Sequence, residues 1–188
     1  MQGTVDPPRL ETPRLLLRGH VLDDFDASAT MWSDPAVTKY IADGNPSTTE
    51  ESWSRFLKFR GHWHLLGYGY WVVEDKSTGT FIGEVGFADH RREMEPSLEG
   101  RPEAGWALKT TAHGQGFATE AVRRIMEWAD AVLEVPRTVC TFDPQHAASI
   151  WVAQKIGYVE IIRTSYRGRP LLVMERSRSD QKVRRLND

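Results

Sequence analysis

The sequence has little of several features that mark whole classes of protein. Its 188 residues include one cysteine, Cys140, so an internal disulfide is excluded and the count fits a reducing compartment. No apolar run approaches the roughly 20 residues that a membrane-spanning helix needs, and residues 1–13 are polar without a signal-peptide core. We therefore predict a soluble, cytoplasmic protein with no membrane partner.

An excess of basic charge is also missing. The formal net charge is −2, whereas a protein that mainly wraps nucleic acid needs a basic surface to neutralise phosphates. We expect no nucleic-acid partner, and either a monomer or a homodimer. The segment 179–188 is locally basic and is interpreted as a solvated C-terminal tail that can be disordered, with RNA contact as the alternative.

Metal-binding and thiol-nucleophile patterns are absent as well. His62 and His64 are two residues apart, His90 and His113 are scattered, and no Cys/His set has the usual ligand spacing. We predict no metal. Cys140 has no basic partner nearby in sequence, so we expect a buried strand cysteine rather than a covalent nucleophile.

Hydrophobic residues make up 40% of the chain, which suits one α/β (α+β) domain, placed here at residues 1–178. Periodicity and turn residues predict about seven strands and about four helices. The predicted strands are 14–18, 68–75, 80–88, 103–109, 137–142, 158–165 and 170–175, and the predicted helices begin near 23, 48, 117 and 147.

The helix predicted from Phe117 to Leu133 follows a glycine-rich loop. Its apolar positions recur at helical spacing and should form the buried face. Gly114 and Gly116 allow a tight turn before it, and the free N–H groups of a helix start favour an anion such as a pyrophosphate. A glycine turn that binds nothing is the alternative. The apolar positions are Ala118, Ala121, Ile125, Trp128 and Val132.

Two common phosphate loops do not fit this loop, because no Lys-Ser or Lys-Thr follows Gly116 and no third glycine completes a dinucleotide fingerprint. Residues 105–108 (GWAL) and 113–121 (HGQGFATEA) instead resemble the cofactor motif of the GNAT acetyltransferase superfamily. Within it, residues 12–18 (TPRLLLR), 34–37 (DPAV) and 149–158 (SIWVAQKIGY) resemble the ribosomal-protein N-terminal acetyltransferase branch, the RimJ/RimL type.

The resemblance implies the GNAT fold, a mixed, mostly antiparallel and splayed sheet of about six or seven strands flanked by about four helices. It also implies that acetyl-CoA enters between the strands near Leu108 and Cys140, with backbone groups of Leu108 and Lys109 holding the pantetheine arm. The residues implied for the pyrophosphate are His113, Gly114, Gln115, Gly116, Phe117 and Ala118.

Two positions of the second block concern the cofactor and the departing thiolate. His146 stands where the family has an asparagine, so it either contacts the cofactor arm through a ring nitrogen or caps the following helix. Ser149 matches the branch's serine near the sulfur and is our candidate donor to the thiolate, although it is also ordinary in a first helical turn. Many members have a tyrosine acid where this chain has Ala153.

These residues predict an N-acetyltransferase that moves an acetyl group from acetyl-CoA to a primary amine by direct attack. The acceptor is a protein N-terminal amine or a small-molecule amine, and a non-catalytic CoA-binding interaction module is the alternative function. The amine must lose a proton, and Glu103, just before the cofactor loop, matches a proposed base of the branch. The alternative for Glu103 is a surface residue at a strand end.

The acceptor pocket should come from the first two helices and the strand around Glu84. Five aromatic residues could line an apolar or cation-binding surface there, and the alternative is that most of them pack in the core: Trp32, Tyr40, Trp53, Trp63 and Trp71. Glu84 would bind a cationic amine if it faces the cleft, and would face solvent if the strand phase differs by one residue.

Overall fold

The structure is a computed structural model that describes residues 6–41 and 43–178, so the predicted tail at 179–188 lies outside the described residues. Eight strands and five helices are found in this part of the chain. The strands are β1 (Leu10–Glu11), β2 (Leu15–Arg18), β3 (Tyr70–Asp75), β4 (Thr80–Ala88), β5 (Glu103–Leu108), β6 (Arg137–Phe142), β7 (Val159–Tyr166) and β8 (Arg169–Ser177). The helices are α1 (Phe25–Trp32), α2 (Pro35–Thr38), α3 (Thr49–Leu66), α4 (Phe117–Val132) and α5 (Ala147–Ile156).

All eight strands belong to one sheet, in the order β1-β2-β3-β4-β5-β6-β8-β7. Every neighbouring pair is antiparallel except β5 and β6, which are parallel. The connection between these two strands is α4, which packs on one face of the sheet as a parallel crossover requires. The mixed, mostly antiparallel sheet predicted from the resemblance is confirmed.

The structure has one strand and one helix more than predicted. Strand β1 is only two residues long and gives no alternation to recognise. Helix α2 begins at Pro35, and the Asp34 side chain accepts a hydrogen bond from the Ala36 N–H. The pair Asp34-Pro35 therefore ends one helix and starts the next, since proline suits the first helical position.

Helix α3 matches its sequence signals. Thr48 accepts from the Glu51 N–H, and the Glu51 carboxylate accepts from the Thr48 N–H, which completes a capping box. Gly67 ends the helix in the left-handed conformation, with φ at 72°. These caps fix the start and the end of the longest helix in the described chain.

Helix α4 buries three of its five predicted apolar positions, and Ala118 is partly buried against the same cluster. Ala121, Ile125 and Trp128 are buried against the sheet, but Val132 is 54% exposed. The prediction for Val132 was wrong because the chain leaves helical geometry at the next residue, Leu133, whose side chain is buried in its place.

The buried hydrophobic residues of the described chain form four clusters, and the largest of them lies on the α4 side of the sheet. On the α4 side, the rings of Trp63, Trp71 and Trp128 meet edge to face with centroids 4.6 to 5.5 Å apart. Trp63 and Trp71 are therefore core residues. Helix α1 packs on the other face, while α3 contributes Trp63 to the α4-side cluster and Phe59 to a separate cluster with Tyr70. Within the described residues, no helix is long and apolar enough to cross a membrane.

Candidate active site

Strands β5 and β6 separate soon after they meet. They share one register pair, Glu103 with Val139, and the Val139 N–H donates to the Pro102 carbonyl at 3.1 Å. Beyond that pair, no residue of β5 is paired with a residue of β6 up to the strand ends at Leu108 and Phe142. The backbone edges that face this gap offer hydrogen-bonding groups to an inserted ligand.

The glycine loop lies at the open end of this gap. Gly114 and Gly116 have φ of 74° and 81°, a region that disfavours residues with a Cβ. Over the described chain, the backbone N–H groups of residues 115–118 have no hydrogen-bond acceptor. Since they surround the positive start of α4, the loop fits an anion such as a pyrophosphate.

Arg14 holds this loop from strand β2's side and was not recognised from the sequence. Its Nη1 donates to the Gln115 carbonyl at 2.9 Å, while its Nε donates to the Glu120 carboxylate at 2.7 Å. Thr12 donates to the same carboxylate at 2.6 Å, and the Arg14 guanidinium stands 4.4 Å from the Phe117 ring centroid. More than 100 residues separate these partners, so no local pattern signals the contact.

The residues predicted for the pantetheine arm already have internal partners. His113 Nε2 lies 2.9 Å from the Leu108 carbonyl, which requires the Nε2–H tautomer for the ring to donate. The Lys109 N–H donates to the Ile82 carbonyl, and its own carbonyl accepts from the Ala112 N–H, both at 2.9 Å. Both backbone groups of Lys109 are thus used inside the protein.

His146, Ser149 and Tyr40 come together at the start of α5. His146 occupies the N-cap position, but its side chain makes no capping hydrogen bond. Its Nε2 lies 3.2 Å from the buried Ser149 Oγ, and its ring stacks on Tyr40 with centroids 4.9 Å apart. Burial lowers the pKa of His146 and the nearby His113 lowers it further, while Asp143 opposes both.

Glu103 lies where β5 and β6 meet, and its side chain is almost completely buried. Thr141 donates to one carboxylate oxygen at 2.8 Å, and Arg92 forms an ion pair with the other at 2.7 Å. Burial raises the pKa of Glu103, and this effect outweighs the lowering by Arg92, Thr141 and Lys58. A carboxylate with a raised pKa is a stronger base than an exposed one.

Tyr70 approaches the same part of β5 and was not recognised from the sequence. A Cβ on Gly105 would lie 2.1 Å from the Tyr70 hydroxyl, so only glycine fits at that position. The Tyr70 ring stacks on Phe59 with centroids 4.1 Å apart, and burial followed by the charge of Glu103 raises its pKa. An isolated glycine inside a strand was the available signal for this close approach.

Glu84 on β4 and Trp32 on α1, two of the three predicted acceptor residues, are buried against each other. The Glu84 carboxylate accepts from Trp32 Nε1 at 2.8 Å and from the Ser28 hydroxyl at 2.7 Å, and His20 Nε2 lies 3.1 Å away. Burial opposes ionisation of Glu84, but these partners outweigh it and lower its pKa. The side chain faces neither a cleft nor solvent, because α1 covers this face of β4.

Cys140 lies on β6, fully buried, and its pKa is raised well above the ordinary value by burial and by the charge of Glu103. It is therefore a buried strand cysteine, held as a neutral thiol. Across residues 6–41 and 43–178, no group of three or more His, Cys, Asp or Glu side chains is arranged to hold a metal ion.

The family described as "Acetyltransferase (GNAT) domain" matches residues 14–159. The chain is also 30% identical, over 150 residues, to the uncharacterized N-acetyltransferase p20 of Bacillus licheniformis. The alignment covers 79% of this chain and 81% of that protein. Both matches extend over the glycine loop and the splayed strands.

Solved structures share the fold. A putative GNAT-family acetyltransferase from Bordetella pertussis superposes with a TM-score of 0.80 at 26% identity, covering 91% of this chain and all of that one. YncA, a putative acetyltransferase from Salmonella typhimurium solved with acetyl-CoA, superposes with a TM-score of 0.68 at 20% identity. The superposition covers 89% of this chain and 95% of that one. The chain therefore belongs to the GNAT acetyltransferase family and is an acyltransferase.

Proposed function

We propose that this protein transfers the acetyl group of acetyl-CoA to a primary amine by direct attack, with Glu103 as the base. The observation that carries the proposal is the splay of β5 and β6, which opens between the buried Glu103 and the glycine loop. One opening thus joins a basic carboxylate to an anion site. When bound, acetyl-CoA supplies the activated thioester.

The cofactor side would use the groups at the open end of the gap. The N–H groups of residues 115–118 would bind the pyrophosphate, with His113 and Gly114 completing the loop. Leu108, Lys109 and His146 are proposed for the pantetheine arm. Since both backbone groups of Lys109 have internal partners, its contact requires one of those hydrogen bonds to be shared.

The acceptor amine is mostly protonated near pH 7 and must lose a proton before it attacks. Glu103 would take that proton directly or through a water, because burial raises its pKa toward that of a useful base. Arg92 and Thr141 hold the carboxylate in one orientation. The Tyr70 hydroxyl, which closely approaches Gly105 on the same strand, is proposed to orient the amine or the water.

The leaving thiolate needs a hydrogen-bond donor, and Ser149 is proposed for that role. If His146 carries its proton on Nε2, the ring donates to the Ser149 oxygen, which leaves the Ser149 hydroxyl free to donate to sulfur. In the tautomer that leaves Nε2 without a proton, the Ser149 hydroxyl would donate to His146 and not to the sulfur. The pair would therefore act as one unit at the start of α5.

The acceptor subclass follows the resemblance to the RimJ/RimL branch, and we propose a cytoplasmic enzyme acting on a protein N-terminus or a small amine. Distant structural neighbours include a RimL described as a ribosomal L7/L12 α-N-protein acetyltransferase, and a spermidine N-acetyltransferase from Vibrio cholerae, at 15% and 16% identity. Tyr40 stacks on His146 and is the residue we propose for contact with the acceptor.

The experiment combines calorimetry with acetyl-CoA and a thiol-release screen across peptides with free N-termini, amino acids, polyamines and aminoglycosides. We expect acetyl-CoA to bind and at least one amine to release CoA. Binding without turnover of any amine would support the CoA-binding interaction module instead, and no binding at all would remove the cofactor assignment.

A further inference from the structure

The loop that joins β4 to β5 (residues 89–102) covers the face of the sheet opposite α4. Leu98 packs against Val139 of β6 and Val173 of β8 on this face, and Thr164 of β7 donates to the Glu95 carbonyl at 3.3 Å. The strand neighbours of these valines point into the α4-side cluster, as the alternation of side chains requires. The β4–β5 loop and the β7–β8 hairpin therefore lie together on the face opposite α4.

Glu103 lies on the same face. On β5, Ala104 and Leu108 belong to the α4-side cluster, whereas Ala107 packs with residues of α1. Alternation therefore puts Glu103 on the side of Ala107. Thr141 donates to Glu103 from β6, next to the α4-side Cys140. The base, the loop and the hairpin are thus on one side of the sheet.

Tyr70 fills the space above β4 and β5 next to Glu103. Its ring lies across Gly86 and Gly105, where a Cβ at either position would collide with it, and it stacks on Phe59 of α3. An acceptor that crossed β4 would have to displace this stack. An approach between the β4–β5 loop and the β7–β8 hairpin leaves the stack in place, so the acceptor is expected from that side.

A cavity of about 420 Å³ lies between the loop and the hairpin. Arg92 connects it to the base, because its Nη1 lies 2.7 Å from Glu103 and its guanidinium carbon lies 5.7 Å from the ring centroid of Tyr166. Ligand pockets are typically about 300 to 1,000 Å³, so the volume suits a small molecule. Both segments contribute lining side chains, among them His90, Arg91, Glu93, Ser165, Tyr166 and Arg167.

The charged side chains of this lining are Arg91, Glu93 and Arg167. Arg91 is neutralised by ion pairs with Asp89 and Glu99. In the described part of the chain, Glu93 and Arg167 have no ion-pair or hydrogen-bond partner, and they do not pair with each other. Two opposite charges that line one cavity without meeting leave room for a ligand that carries both signs.

The surroundings add no excess of either sign. Glu95 on the loop and Lys58 on α3 are exposed and lie outside the lining, and their formal charges cancel. Burial, followed by the charges of Arg92 and Lys58, lowers the pKa of His90 to about 3, so this lining residue is neutral at pH 7. A ligand with one kind of charge would leave one of the two free lining charges without a partner.

We propose that the acceptor is a diamino acid such as lysine or ornithine, whose α-ammonium is bound by Glu93 and whose α-carboxylate is bound by Arg167. A guanidinium binds a carboxylate through charge-assisted hydrogen bonds. The side-chain ammonium reaches past Arg92 and loses one proton to Glu103. Its nitrogen then bonds to the acetyl carbon as the C–S bond breaks, and its second proton goes to the leaving sulfur. This inference rests on the proposed function and narrows its acceptor class.

The test compares L-lysine with three analogues that lack one or both charges of the head group. ε-Aminocaproate keeps the carboxylate, cadaverine keeps the second ammonium, and pentylamine has neither. L-Ornithine, δ-aminovalerate, putrescine and butylamine repeat the set with one methylene less. We expect kcat/KM for CoA release to be about tenfold or more higher for one diamino acid than for each of its analogues, as for a charge-assisted contact.

The position of the acetyl group in the product tests the orientation of the acceptor. With the α-ammonium and α-carboxylate held in the cavity, the side-chain nitrogen should carry the acetyl group. Fragmentation of the product in a mass spectrometer distinguishes the two nitrogens. Acetylation of the α-nitrogen would contradict the inference.

Two variants assign the charges of the head group to the cavity. Glu93→Gln should remove the advantage of the diamino acid over the analogue with the carboxylate alone, and Arg167→Gln should remove its advantage over the diamine. The matched controls are Glu160→Gln and Arg163→Gln, because these residues form an exposed ion pair on β7 outside the cavity lining, and both should keep the wild-type ratios. An unchanged ratio in either cavity variant overturns the assignment.

A binding measurement separates this inference from the proposed function. Calorimetry of the CoA-saturated protein compares each diamino acid with its analogues, in the wild type and in the two cavity variants. Tighter binding of a diamino acid, weakened by both variants, supports the cavity site even if no amine is acetylated. If a peptide, a polyamine, an aminoglycoside or a single-charge analogue is the preferred acceptor, the proposed function stands and this inference is overturned. Binding and turnover without any preference for a diamino acid overturn it as well.

Discussion

Glu103 is pulled in opposite directions by its surroundings. Burial disfavours the carboxylate, while Arg92 and Thr141 favour it, and the balance leaves its pKa raised. A base needs this compromise, because an unpaired buried carboxyl would stay protonated and a fully exposed one would be too weak. Arg92 and Thr141 each hold one oxygen of the carboxylate, which fixes its orientation.

We expect Glu103→Gln to lower kcat by about 10²- to 10⁴-fold, the usual contribution of a general base. The base works only when ionised, so wild-type kcat/KM should fall as pH drops through the raised pKa of Glu103, above the ordinary glutamate range. The variant should lose that limb. Steady-state kinetics across pH test this, with Glu127→Gln on the exposed side of α4 as control. A variant with wild-type turnover would exclude Glu103 as base.

Arg14 acts on the cofactor loop at a distance from the reacting atoms. It ties the Gln115 carbonyl to the Glu120 carboxylate, so the N–H groups of the loop are held in one orientation. We expect Arg14→Gln to raise the KM for acetyl-CoA by about three- to tenfold, which corresponds to the net free energy of one or two hydrogen bonds. The kcat should change little. The Kd of CoA should rise in parallel.

The matched control for Arg14 is Arg124→Gln, since Arg124 contacts the Glu11 carbonyl and Glu127 but not the loop. Kinetics at varied acetyl-CoA concentration separate KM from kcat. A fall in kcat with an unchanged KM would contradict a positioning role for Arg14.

At the scale of secondary structure, the contact of α1 with β4 includes one buried carboxylate beside the apolar contacts of Met31 and Trp32 with Phe81. Glu84 has three hydrogen-bond partners from α1 and the segment before it. Its folded-state pKa is lowered, so its stabilising contribution is present above the ordinary glutamate range and is lost as pH falls through the folded-state pKa. The network therefore stabilises this layer at neutral pH.

Trp32→Phe removes one donor from this carboxylate and should lower the free energy of unfolding by about 1 to 3 kcal/mol. Urea unfolding at pH 7 measures the change. Trp53→Phe, at a 38% exposed tryptophan on α3, is the control and should cost less. If Trp32 instead serves the acceptor, the acceptor KM would rise while the stability stays unchanged.

The elements that were predictable have short-range signals. Thr48, Glu51 and Gly67 mark both ends of α3, and the turn at 76–79 marks the hairpin of β3 and β4. Alternation places Glu84 on one face of its strand, but it does not say whether a helix or a cleft lies over that face. Only the packing of α1 decides this, and it places the residue in the core.

The site was predictable where its residues are close in sequence. The glycine loop and the start of α5 each occupy a few consecutive residues, so their motifs were recognised. Arg14 and Glu120 are 106 residues apart, and Arg92 lies in an irregular loop without periodicity. Contacts of this kind depend on how distant segments meet, which no local pattern encodes.

Over the whole molecule, the parallel contact of β5 with β6 divides the sheet into two antiparallel parts. Strands β1 to β5 form one part and β6 to β8 the other, and a single register pair joins them. Helices α4 and α5 pack against each other beside this junction and complete the link. The opening therefore lies at the weakest point of the sheet.

A ligand that fills this opening should stabilise the molecule there first. With acetyl-CoA at 100 times its Kd, mass action predicts about 2.7 kcal/mol of added stability, seen as a raised Tm. Hydrogen exchange should show new protection at the unpaired edges of β5 and β6 and in residues 115–118, with little change between β2 and β3. Adenosine, which lacks the pantetheine arm, is the control and should leave the strand edges unprotected. Protection spread evenly over the sheet would show that the cofactor does not enter at the splay, because only an inserted arm supplies partners to the backbone groups of that gap.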